Sequence, residues 1–148
     1  MRVPLIVHER QAYWIRHLRP RLAHLEARWI ESRSLADLER ALESFPCPVV
    51  LIQLGHRHRE ALQALVTTAV LAPTALILVV DRERHLGPDP LARELGATHT
   101  IRGEVPPPDV AALIDRWVVL ATRRAQKDGW LPQSSRDPEP WDIPFLDP

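Results

Sequence analysis

At 148 residues the chain has room for one domain with a buried core and too little for two independent ones. Lysine plus arginine (19) balances aspartate plus glutamate (19), and a net charge of zero argues against a general electrostatic grip on nucleic acid or an anionic membrane. The single cysteine, Cys47, excludes an intramolecular disulfide, and no stretch approaches about 18 uninterrupted apolar residues, so a soluble, cytoplasmic protein is expected.

The apolar pattern then switches repeatedly between two periods. Val3–Val7 is a short run suited to a strand buried on both faces. From Ala12 to about Leu25, Trp14, Leu18, Leu22 and Leu25 recur at helical spacing, with Pro20 inside the stripe. A proline in a helix interior costs about 3 kcal/mol, so a kink or a helix end is expected there. Ala27–Glu31 reads as a weak second strand. Leu35, Leu38, Leu42 and Phe45 follow as a helix with Ser34 as N-cap and Asp37 in its first turn, ended by Pro46-Cys47-Pro48. Val49–Leu54 is a third strand, and Leu62, Leu65, Val66, Ala69 and Val70 make a helical stripe stopped by Pro73. Thr74–Val80, apolar and rich in β-branched residues, is the strongest strand signal. Asp89-Pro90, Leu91, Leu95 and Gly96 carry a helix's punctuation: cap, first-turn proline, closing glycine. Thr98–Ile101 is a short fifth strand, and Pro106–Pro108 with Asp109 opens a last helix running to about Gln126.

Apolar strands alternating with amphipathic helices require a parallel sheet covered on both faces. The order βαβαβαβαβα predicts a flavodoxin-like doubly wound five-stranded sheet, strand order 2-1-3-4-5, over residues 1–126. Residues 127–148 change character: Pro132, Pro138, Pro140, Pro144 and Pro148 punctuate a polar stretch, the composition of a linker or tail.

In such folds, chemistry collects at the carboxyl ends of the strands, here His8-Glu9, Gln53-Leu54-Gly55, Val80-Asp81 and Arg102-Gly103. Leu91–Ile101 (LARELGATHTI) resembles the stretch of receiver domains in which a helix ends in Gly-Ala before the fifth strand. Over about residues 3–124, pattern and spacing resemble the CheY-like receivers of two-component response regulators. That resemblance implies an acidic pair for Mg²⁺ at His8-Glu9 and a nucleophilic aspartate at Gln53. It also implies a Ser or Thr at Val80 and a lysine at Arg102 or Gly103. The chain departs at nearly every position. Gln53 cannot form an acyl phosphate, Val80 has no hydroxyl, only Glu9 remains of the acidic pair, and no lysine precedes Lys127. What the resemblance implies is therefore a degenerate pseudo-receiver that performs no phosphotransfer and needs no cofactor.

The same rim holds His8, Glu9, His56, His58 and Asp81, ligand types that suit Zn²⁺. The arginines around His58 repel a cation, so solvated loop residues are expected and no metal. Gln53 is expected to hydrogen-bond backbone or His8, replacing the lost ion network. No GxGxxG or Walker pattern is present to cradle phosphate. The alternating charges of Asp81–His85 read as a solvated loop, or as a partner contact. In the last helix Val110, Leu113, Ile114, Trp117 and Ala121 should face the sheet, while Ala111, Ala112, Val118 and Val119 extend apolarity around other faces, as if a subunit or the tail covered them. Trp130, Trp141, Ile143, Phe145 and Leu146 look like anchors of a proline-restricted docking segment. The expected function is a phosphorylation-independent protein-interaction module, an adaptor or assembly component. Homodimerisation through the last helix and tail is expected, with no nucleic-acid or membrane partner. The alternative is a small α/β ligand- or metal-binding protein, or an enzyme, using the rim.

Overall fold

The computed structural model describes residues 2–45, 48–55, 58–83 and 90–127. Strands β1 (Val3–His8), β2 (Ala27–Ser32), β3 (Val49–Gln53), β4 (Leu76–Asp81) and β5 (His99–Arg102) alternate with helices α1 (Tyr13–Arg21), α2 (Leu35–Ser44), α3 (His58–Leu71), α4 (Pro90–Glu94) and α5 (Pro107–Lys127). The strands pair in parallel in the order β2-β1-β3-β4-β5, the flavodoxin-like topology that the alternation predicts. The tail anchors from Trp130 to Leu146 lie outside the described residues.

β1, β3 and β4 are aliphatic almost throughout because both faces of the sheet are covered. Side chains alternate between two cores. Leu5, Val7, Leu51, Leu78 and Val80 pack with α1 and α5. Ile6, Val50, Ile52, Ile77 and Val79 pack with α2, α3 and α4. Ser34 caps α2 as expected, its Oγ accepting from Asp37 N–H at 3.1 Å. Gly96 ends the α4 segment at φ +113, where a Cβ would stand 2.6 Å from Ala69 Cβ. Conformation and close approach both call for glycine there.

α1 ends at Arg21, one residue past Pro20, as the proline predicts, and Leu22 completes the stripe from the following turn, its N–H bonding Leu18 O at 2.9 Å. Two other helices differ from the sequence pattern. In α3 the expected stripe is split. The inward face is Ala61, Ala64, Leu65 and Thr68, whereas Val66 and Val70 are 41% and 69% exposed. Small residues carry this packing, and Thr68 hides its hydroxyl by donating to Ala64 O at 2.7 Å. In α5, Val118 belongs to the core, not to an outer surface: it is 4% exposed beside Ala111, Ile114, Ala121 and Ala125. Helical spacing places these on one face, and the outward apolar residues are Ala112, as expected, with the larger Val119 and Leu120. Among the described residues, no helix is long and apolar enough to cross a membrane.

Candidate functional site

The loops following the strands surround an opening of about 810 Å³, lined in part by His8, Glu9, Arg10, Arg33, Gln53, Glu60, Arg82 and Glu104. The sheet places His8 at the end of β1 and Gln53 at the end of β3. His8 pairs in register with Ile52, so it projects on the opposite side of the sheet from Gln53. Of the two partners expected for Gln53, backbone or His8, His8 is excluded by this geometry, and its Nδ1 instead shares a hydrogen bond of 2.8 Å with Ser32 Oγ. Ser32's hydroxyl also lies 3.3 Å from Ser34 O. Burial holds the His8 pKa below its ordinary value, while Asp37 and Glu60 pull it upward.

Glu9 is buried and turned inward. Its Oε2 accepts from Trp14 N–H at 2.9 Å and its Oε1 from Ile15 N–H at 3.1 Å. α1 requires this, because its N-cap residue Ala12 has no side-chain acceptor to offer. Burial pushes the Glu9 carboxyl above its ordinary range, opposed by those backbone donors.

Gln53 and Val80 are register partners on adjacent strands and project on the same side. Val80 is fully buried among the α1 and α5 side chains, an apolar wall. Among the described residues Gln53 Oε1 is buried without a hydrogen-bond partner. Asp81 and Arg102 pair one residue further on, and neither lines the opening. Gly103 N–H donates to Asp81 O at 2.8 Å. Of the rim histidines, His56 and the side chain of His58 lie outside the described residues. Among the described residues, no three His, Cys, Asp or Glu gather as metal ligands.

The structure adds Arg10, which the sequence pattern did not single out, and places Arg82 of the alternating charge run. Arg10, after β1, reaches Glu60 in the first turn of α3 at 2.7 Å, a clasp between residues 50 apart in sequence. Arg82 lies with its guanidinium carbon 4.1 Å from the Tyr13 ring centroid. The opening is thus polar and mixed in charge. It has no carboxylate at the end of β3, and its one acid after β1 is engaged by backbone amides.

The fold is that of receiver domains. The structure is similar to a CheY-like response regulator receiver domain protein from Methanospirillum hungatei, at a TM-score of 0.68 and 13% identity, covering 84% of this chain and 99% of that one. It is similar to the response regulator domain of Thermotoga maritima CheB at 0.61 and 14%, covering 83% and 98%. A structure described as an adenylate cyclase from Rhodopirellula baltica is likewise similar, at 0.67 and 12%, covering 90% and 100%. No protein-family model matches the sequence, and no curated protein matches it either.

Proposed function

We propose that this chain is a degenerate receiver-fold interaction module, cytoplasmic and without enzymatic activity, that works independently of phosphorylation. The observation that carries the reading is Gln53: an amide stands at the end of β3 where the resemblance puts the nucleophilic aspartate. Two neighbours support it. Val80 offers no hydroxyl beside Gln53, and Glu9 is committed to the α1 amides. With phosphoryl chemistry absent, the outward residues of α5, Val119 and Leu120, and residues 128–148 are the contact elements of an adaptor or assembly component.

Incubation of the protein with acetyl phosphate, or with beryllofluoride and Mg²⁺, tests this. Neither mass nor tryptophan fluorescence should change. A stable adduct mapped to the opening would overturn the reading. A second reading, a small-ligand binder, is favoured by Gln53 Oε1, buried at an opening of about 810 Å³ and without a partner among the described residues. It predicts that a polar metabolite raises the melting temperature by mass action and that Gln53→Leu abolishes the effect.

A further inference from the structure

Among the described residues, the proposed interaction module has a face of uncompensated positive charge. The outward stripe of α5 runs through Ala112, Arg116, Val119, Leu120, Arg123 and Arg124, at spacings of three and four residues. Val119 and Leu120 are 45% and 40% exposed. α1 packs beside α5 and contributes exposed Arg16, Arg19 and Arg21, with no acidic residue of its own. Arg21 donates to the His17 carbonyl, which leaves its charge unneutralised. On α5, Asp109 lies in the first turn and Asp115 is 3.1 Å from His24. Among the described residues, Arg16, Arg19, Arg116, Arg123 and Arg124 have no ion-pair partner.

The chain also contains the complement of that face. Residues 137–148 read DPEPWDIPFLDP: Asp137, Glu139, Asp142 and Asp147 alternate with Trp141, Ile143, Phe145 and Leu146, and no basic residue interrupts them. We infer that residues 137–148 bind the arginine-flanked Val119–Leu120 stripe of α5 in the same chain, the acids pairing with the arginines and the large apolar side chains covering the two aliphatics. This rests on the interaction-module reading and names the occupant of its surface.

Two arguments select this face and this copy. Of the other exposed large aliphatics among the described residues, Leu35 and Leu91 stand singly on α2 and α4, whereas Val66, Val70 and Leu71 on α3 lie beside α2, which carries Glu39 and Glu43 and whose Arg40 is already paired with Asp37 at 2.6 Å. An acidic segment is repelled there and attracted at α5. For the copy, Val119 lies roughly 12 Å back along the helix from Lys127, and residues 128–136 span up to roughly 30 Å. The segment therefore reaches its own helix at a high effective concentration.

The test uses the full chain with Val119→p-benzoylphenylalanine, and a second protein with the same photocrosslinker at Val70. After irradiation at low salt, position 119 should crosslink to residues 137–148 within a product of monomer mass, and position 70 should not. Arg123→Glu with Arg124→Glu should lower that yield roughly two- to thirtyfold, the range for losing two exposed ion pairs. Adding Glu139→Arg with Asp142→Arg should restore it. The inference is overturned if position 119 gives no crosslink to 137–148, or if position 70 crosslinks equally well. A product of doubled mass overturns it in favour of a second copy. None of these outcomes bears on phosphorylation independence, which the beryllofluoride experiment decides separately.

Discussion

Replacing Glu9 by alanine removes both acceptors at the amino end of α1, the oxygens that take Trp14 N–H at 2.9 Å and Ile15 N–H at 3.1 Å. A hydrogen bond to a charged group contributes about 1.5–3 kcal/mol, and loss of an ordinary N-cap about 0.5–2 kcal/mol. Burying the carboxylate opposes them, as its raised pKa shows. The net destabilisation expected is about 1–3 kcal/mol, read from urea unfolding followed by circular dichroism. The same free energy must be given up to swing the carboxylate toward a divalent cation, which lowers apparent Mg²⁺ affinity roughly 5- to 150-fold. The pH dependence has a definite sign. A carboxyl with a raised folded-state pKa binds its proton earlier when folded, so its contribution is present below the unfolded value of about 4.5 and is lost as pH rises through the folded pKa. Native protein should therefore gain on Glu9→Gln as pH falls toward 4.5. A Glu9→Ala protein within about 0.5 kcal/mol of native would refute the capping role. So would Mg²⁺ raising the melting temperature of the native protein and not of the variant.

Gly96→Ala should destabilise by about 2–5 kcal/mol, summing an unfavourable backbone conformation and overpacking against Ala69; adding Ala69→Gly should recover the packing part, and an unchanged thermal midpoint in Gly96→Ala would contradict the geometry. His8 has a depressed pKa, so below its ordinary value of 6.5 the unfolded chain takes up a proton that the folded one refuses. Stability should decline as pH falls from 6.5 toward the folded pKa, and His8→Asn should flatten that slope in urea midpoints taken across the range. Val118→Ala should cost about 1–3 kcal/mol and Val119→Ala under about 0.5 kcal/mol; equal effects in thermal melts would mean that α5 is rotated from the face described.

The sheet was legible because β1, β3 and β4 are continuous aliphatic runs separated by helices with clear punctuation, such as Ser34 and Gly96. The helix faces were less so. In α3 the close contacts fall to Ala61 and Ala64 while larger Val66 and Val70 point outward, so following the bulkiest residues misassigns the face; in α5 Val119 points outward as expected, but Ala111 and Val118 are buried. At the site, strand ends located His8, Glu9 and Gln53, but not their orientations. Strand alternation between Ile52 and Gln53 separates Gln53 from His8. The inward turn of Glu9 had a signal: Ala12, just before α1, has no side-chain acceptor, so the helix had to be capped from elsewhere. The Arg10–Glu60 clasp left no local trace, since its partners meet only through the packing of β1 and α3 onto the same sheet end.

β2 and β5 end the sheet, each presenting an outer row of backbone donors and acceptors to any extended chain that drifts past. β5 is only four residues long and exposes His99 and Arg102. β2 exposes Arg28 and Glu31, and the Arg28 guanidinium carbon lies 4.8 Å from the Phe45 ring centroid. Short length at β5 and outward charge at both rims make them poor templates for adding a sixth strand, in a second molecule or in an aggregate. An extended chain approaching either rim meets charged side chains before it meets backbone.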